Sequence, residues 1–305
     1  MPRRKLPESQ PEYTQTFYEI KTHPYTFHAI VYENHDRGQT FIRFGGKKAC
    51  VHLSIYKGEP NPYLMGLGRG HECSMSDEPP RADTVRLLKA ALVFMYEIFT
   101  DRHLSDTQLK DTSSISCSSD VMVNLMALYL GKHLQSWYQA KFGAELDSSS
   151  EGLQSGLARL QDPSEKAAMT FPDFVKRWLK PHIQSSRRLQ KIIELIEPYY
   201  QRTHTLHEFM ASLDEYDCEV FDGWLEALVM SLFSTDLRSS LWRITMERVN
   251  AFPRVTIRPI DEKPAFPGFV SQGGGGGSST WDANMKNEAR QHRKSGPLPV
   301  CYTSI

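Results

Sequence analysis

The 305-residue chain has no apolar run approaching the ~20 residues that a bilayer-spanning helix needs, so no membrane span is expected. It has no surplus of either charge: 36 basic and 36 acidic side chains cancel, which argues against a surface built mainly to hold nucleic acid or anionic lipid. Cysteine is sparse, with five residues (Cys50, Cys73, Cys117, Cys218, Cys301) scattered along the chain. Free thiols in a reducing compartment are therefore expected in place of a disulfide framework. The opening MPRRKLPESQPEY is basic but has no apolar core behind it, so it does not read as a secretory signal. Also missing are a Gly-x-Ser-x-Gly elbow, the Lys-Ser/Thr of a P-loop and a cysteine in a protease-like setting. Eleven histidines are present, and none pairs by spacing with a nucleophile. What remains is 40% hydrophobic and 24% charged, the composition of a protein that buries a core.

Residues 1–15 are polar, carry prolines at 2, 7 and 11, and read as a loose arm. Three strands are then predicted. Tyr25–Tyr32 is rich in aromatic and β-branched residues, Thr40–Phe44 follows the turn chemistry of Asn34-His35-Asp36-Arg37-Gly38, and Ala49–Tyr56 follows Gly45-Gly46. Together they read as an antiparallel meander. Residues 57–81, dense in proline and glycine, read as irregular. From about Ala82 the period changes: Val85, Leu88, Leu92, Met95 and Phe99 make one helical stripe behind Pro79-Pro80.

The segment Leu109–Leu146 joins a predicted strand, Lys110–Cys117, to a predicted long helix. That helix would open at Ser119-Asp120 and bury Met122, Leu125, Met126, Tyr129, Leu130, Leu134, Trp137 and Tyr138. Gly131 within it points to a close approach, a kink, or simple tolerance. Beyond Gly143 the pattern is helical almost to residue 250. Capping boxes are expected at Thr170–Asp173 and Thr205–Glu208, and stops at Pro181 and Pro198. Phe221, Trp224, Leu225, Leu228, Val229 and Leu232 predict a further helix, and Leu237, Leu241, Ile244 and Val249 another. Val255-Thr256-Ile257 reads as a lone edge strand. Gly273–Gly277 opens a flexible tail in which four basic residues stand against two acidic ones. The expected divisions are an arm (1–15), an α+β domain (16–146), a helical domain (147–252), an extended segment (253–272) and a linker with tail (273–305).

Two clusters carry candidate chemistry. Gly66, Gly68, Arg69 and Gly70 form a glycine-rich run whose amides could approach a phosphate, although the next helix starts a dozen residues later and a plain loop fits as well. Cys50 and His52 share one face of a predicted strand, and His71 and Cys73 form a second pair. Two thiolates and two imidazoles could hold a structural zinc ion in a tetrahedron, against the simpler reading of small buried side chains. Trp137 and Tyr138 read as core aromatics or as site groups.

The order strand–strand–strand–helix–strand–helix, closing in Trp137-Tyr138 and Phe142-Gly143, resembles the Gcn5-related N-acetyltransferase core. In that core a helix ending in a tyrosine-containing segment lies beside an acetyl-coenzyme A cleft. The resemblance implies Tyr138 as general acid and Gly66, Gly68, Arg69 and Gly70 as the acyl-carrier loop. Tyr63 stands where the superfamily carries Gln or Arg. Asp111-x-Ser113-x-Ile115-x-Cys117, Leu130-Gly131-Lys132, Trp137-Tyr138-x-x-x-Phe142, Cys73 ahead of Thr84-x-x-Leu87-Leu88, Cys218-x-x-Phe221-x-x-Trp224-Leu225 and Trp242-x-Ile244 look like a group of uncharacterised proteins of nucleocytoplasmic large DNA viruses. The expected fold is α+β, a small mostly antiparallel sheet with two long helices in an acetyltransferase-like arrangement, followed by an all-α C-terminal domain. The expected function is a non-catalytic, capsid-associated viral protein of the virion or host cytoplasm, working through contacts with viral structural proteins. No cofactor is expected. The alternatives are an acetyl-coenzyme A-dependent N-acyltransferase and a zinc-stabilised binding module.

Overall fold

The computed structural model describes residues 13–68, 73, 84–111, 113–118, 121–147, 150–213, 218–234, 236–237 and 239–262. In chain order these form β1 (Thr14–Thr22), β2 (Tyr25–Asn34), β3 (Gln39–Gly45), β4 (Ala49–Tyr56), β5 (Tyr63–Leu67), α1 (Thr84–Ile98), β6 (Thr107–Lys110), β7 (Ser114–Ser118), β8 (Val121–Asn124), α2 (Leu125–His133) and α3 (Trp137–Phe142). There follow β9 (Glu145–Leu146), α4 (Glu151–Gln161), α5 (Pro163–Ala167), α6 (Phe171–Phe174), α7 (Ser186–Arg202), α8 (Leu206–Ser212), α9 (Trp224–Leu232), β10 (Leu241–Ile244), α10 (Met246–Asn250) and β11 (Thr256–Ile260). The described residues are α+β and fall into two compact units, residues 13–107 with 249–262 and residues 108–248. Residues 108–146, grouped with the sheet on sequence, cluster with the helices.

The first unit is a sheet ordered β11-β1-β2-β3-β4-β5 and antiparallel throughout, so the sheet is large and not small. The predicted meander is its middle, and β4 has the predicted bounds. Two strands escaped the sequence. In β1 only Ile20 and Thr22 are buried, which leaves little alternation to read. β5 sits between Pro62 and Gly68, whose punctuation suggested a loop. β11 is the expected edge strand, with Ile257 opposite Ile20. Helix α1 follows its stripe: Leu88, Leu92 and Met95 are fully buried, and Phe94 meets Tyr18 edge-on at 5.2 Å. Each such side chain removed from water contributes roughly 1.5–3 kcal/mol.

The second unit departs further from expectation. The predicted strand Lys110–Cys117 is two strands, β6 and β7, parted at the buried Asp111. The predicted long helix is β8, α2 and α3. Val121 and Val123 are buried while Met122 between them is 48% exposed, a period of two that pairs β8 with β7. Asn124 then starts α2 by accepting the Ala127 amide (2.9 Å). Leu134 ends it at φ +57°, and Ser136 restarts the chain as α3 through a capping box with Gln139. Gly131 does mark a close approach: a Cβ there would lie 2.7 Å from Met210 Sδ on α8.

The capping boxes at Thr170 and Thr205 place their hydroxyls on the Asp173 and Glu208 amides. After α6 the chain continues as a π-helix, Val175–Leu179. Pro198 does not stop α7, which runs on to Arg202. Pro198 and Glu194, whose carbonyl loses its amide partner, are both exposed to water. The predicted last helix is instead β10 followed by the short α10, so this half is not all-α. β10 pairs with β9, Trp242 opposite Leu146, and β6 flanks it. The core here is aromatic: Phe174 packs edge-on to Phe209 (5.6 Å) and Trp224 (5.5 Å). The first residues of the predicted arm, the Ser119-Asp120 cap and the glycine-rich tail lie outside the described residues.

Candidate functional site

A cleft of about 570 Å³ opens in the first unit where two turns and the exit of α1 meet. The first turn joins β2 to β3. Asn34 Oδ1 accepts the Arg37 amide (2.9 Å), and Gly38 takes φ +60°, with its carbonyl accepting the Lys57 amide (2.6 Å). A Cβ on Gly38 would lie 2.5 Å from Lys57 Cβ, so both conformation and space demand glycine. The second turn, residues 57–62, is tied down by the Ser105 amide donating to the Pro60 carbonyl (2.7 Å). Beyond α1 the chain reverses at His103, in the left-handed region at φ +48°.

That reversal sets Arg102 against the sheet. Its Nη1 donates to Thr40 Oγ1 (2.8 Å), its Nη2 donates to Glu33 Oε1 (2.5 Å), and the guanidinium lies 4.6 Å from the Phe99 ring. Tyr96 donates its hydroxyl to the Ser105 carbonyl, and burial pushes its pKa up to about 12, so it stays a neutral anchor. Asn34 is 1% exposed, and its Nδ2 has no hydrogen-bond partner. Lys57 and Glu59, on the second turn, have no ion-pair partner among the described residues. The cleft therefore offers an unused amide donor and a pinned guanidinium beside two unspent charges.

The sequence candidates lie elsewhere. Gly66 is inside β5, opposite His52, and the Gly68 amide donates to the Cys50 carbonyl (2.5 Å). The Gly68 amide is therefore already spent within the sheet; Arg69 and Gly70 lie outside the described residues. Cys50 and Cys73 are joined in a disulfide with Cα atoms 5.6 Å apart, against the expectation of free thiols. Their sulfurs, as paired, are not the thiolates that zinc requires. His52 is held neutral: burial, and then the Arg43 guanidinium, push its pKa down to about 4. His71 lies outside the described residues. Among the described residues no group of three or more His, Cys, Asp or Glu is placed to hold a metal ion.

Tyr138 is fully buried, its ring 4.9 Å from that of Trp137 and 5.8 Å from that of Phe142. A general acid must reach the atom it protonates, and this phenol faces a closed core. Tyr138 thus does not fit the general-acid role that the acetyltransferase resemblance implies. Asp111 is fully buried, with Oδ1 accepting from the Ser113 amide and hydroxyl. Burial pushes its pKa up to about 6.

Sequence reasoning missed the cleft. The Asn34–Gly38 turn was legible as a turn, but nothing near Arg102 signals that it will meet Glu33, 69 residues away. No protein family, curated protein or solved structure matches the chain. Among the described residues no helix is long and apolar enough to cross a membrane.

Proposed function

We propose that this chain is a non-catalytic viral protein that works through contacts with other proteins, as a virion or minor capsid-associated component. The observation that carries the reading is the outer face of α7. Ile192, Ile196 and Tyr200 bury one side of the helix. On the other side Leu195 and Tyr199 are 40% and 38% exposed, and they sit four residues apart, hence side by side. Single exposed apolar residues are ordinary, whereas an adjacent pair on one helix face is a patch. Pro198 lies beside them, and Arg187, Lys191 and Arg202 surround them with positive charge, countered by Glu194.

The basic rim selects the partner. Two copies meeting through this face would bring like charges together, so an acidic segment with apolar anchors is the better occupant. The viral assignment rests on the motifs Asp111-x-Ser113-x-Ile115-x-Cys117 and Trp137-Tyr138-x-x-x-Phe142. The proposal also reads the β2–β4 meander followed by α1 as an acetyltransferase-like outline without its site. In support of that, the glycine that would bind the carrier spends its amide on Cys50.

The test combines purified particles with a double variant, Leu195→Glu/Tyr199→Glu. Both positions face water, so folding should survive. The account expects the chain in particles at stoichiometric amounts and the folded variant depleted from them. Absence of the chain from particles, or undiminished incorporation of the variant, would overturn it.

A further inference from the structure

We infer that the cleft between the β2–β3 turn, the 57–62 turn and the exit of α1 is a binding site for a small organic carboxylate. Its volume, about 570 Å³, lies in the range of small-molecule sites. Size alone would not assign a ligand; the hydrogen-bond inventory does. Asn34 lines the cleft and is 1% exposed. Its side-chain orientation is fixed, because Oδ1 must face the Arg37 amide that it accepts. Both Nδ2 hydrogens then point where no acceptor is present. A buried amide donor left unmade is costly, and an incoming oxygen would satisfy it.

The neighbouring groups narrow the class. Arg102 uses one nitrogen on Thr40 and another on Glu33, so its five N–H groups are not exhausted. Glu33 offsets the guanidinium charge, and the Lys57 ammonium remains as the cation without an ion-pair partner among the described residues. Arg102 and Lys57 balance Glu33 and Glu59, so the cleft carries no net charge; a planar guanidinium edge, an ammonium and an amide donor then match the planar, singly charged head of a carboxylate. A phosphate dianion would meet the carboxylates of Glu33 and Glu59 with too little positive charge to offset them. Glu59, exposed on the same turn, leaves room for an amine on the ligand, so amino acids fall within the class.

This inference is independent of the α7 face and of the viral reading. It predicts that the full chain binds at least one of lactate, pyruvate and glutamate saturably, with a rise in thermal midpoint, while methyl lactate and inorganic phosphate do not bind. Lys57→Glu, at an exposed turn position, should keep the fold and weaken binding about tenfold or more, the effect of losing one charged contact. Asn34→Asp keeps the acceptor for Arg37 but replaces the donor with a negative charge, and should abolish binding. Failure of all three carboxylates to bind would overturn the inference. So would phosphate binding as tightly as the best carboxylate, or unchanged affinity in folded Lys57→Glu.

Discussion

The surroundings of Tyr138 and the cleft beside Arg102 are each assembled from helix ends and turns, yet one is shut and the other open. Around Tyr138, Trp137 and Phe142 bring apolar rings together, and such rings gain by excluding water until no space remains. Beside Arg102 the wall is a guanidinium bonded to a carboxylate and a hydroxyl, groups that lose hydration if they are sealed in. The difference teaches that the conspicuous aromatic run marks core here, while the accessible polar geometry is built from residues with no motif at all.

Three substitutions probe this contrast. Phe142→Ala should be the most damaging. The ring is 2% exposed, and its removal leaves a cavity that costs about 3–5 kcal/mol by denaturant unfolding. A loss near the level of a surface change would mean the aromatic wall is loose, and the claim of a closed core would fail with it.

Asp111 tests how dearly the second unit holds a charge. Its pKa stands at about 6 against an ordinary 3.8, so the folded state binds the proton more tightly than the unfolded chain. Its contribution is therefore greatest below about 4 and is lost as pH rises through about 6. Asp111→Asn keeps an acceptor for Ser113 but cannot ionise. The stability of the native protein relative to this variant should fall by roughly 3 kcal/mol across that interval. A difference that is flat with pH would show that the carboxyl is not held in a desolvated setting.

Arg102→Ala should cost least, about 1–2 kcal/mol, because its ion pair with Glu33 is only partly buried and water can replace it there. A loss as large as that of Phe142→Ala would place the guanidinium in the core and erase the contrast.

How much was legible follows from the strength of local signals. β2, β3, β4 and α1 were readable because their periods are unambiguous and their boundaries carry turn residues. Residues 119–142 were not, because Val121-Met122-Val123 satisfies a strand period while Leu125, Met126 and Leu130 extend the same apolar content at helical spacing. The deciding features were the Asn124 cap, the left-handed Leu134 and the Ser136 box. Leu241 and Ile244 fit a helix stripe, yet pairing with β9 made them a strand. Tertiary pairing overrides propensity in such short segments. The disulfide was hidden because pairing depends on Cα separation, which β4 supplies and spacing does not. The cleft was hidden for a related reason, since its donors converge from β2, the 57–62 turn and the end of α1.

The most direct measurement of the account is a titration of the intact chain with acetyl-coenzyme A, followed by thermal unfolding. A protein whose tyrosine is enclosed and whose glycine amide is already bonded should show no saturable rise in its midpoint. A ligand that binds the folded state at a hundred times its Kd would add about 2.7 kcal/mol of stability. A saturable rise of that order, abolished by Tyr138→Phe, would contradict the reading.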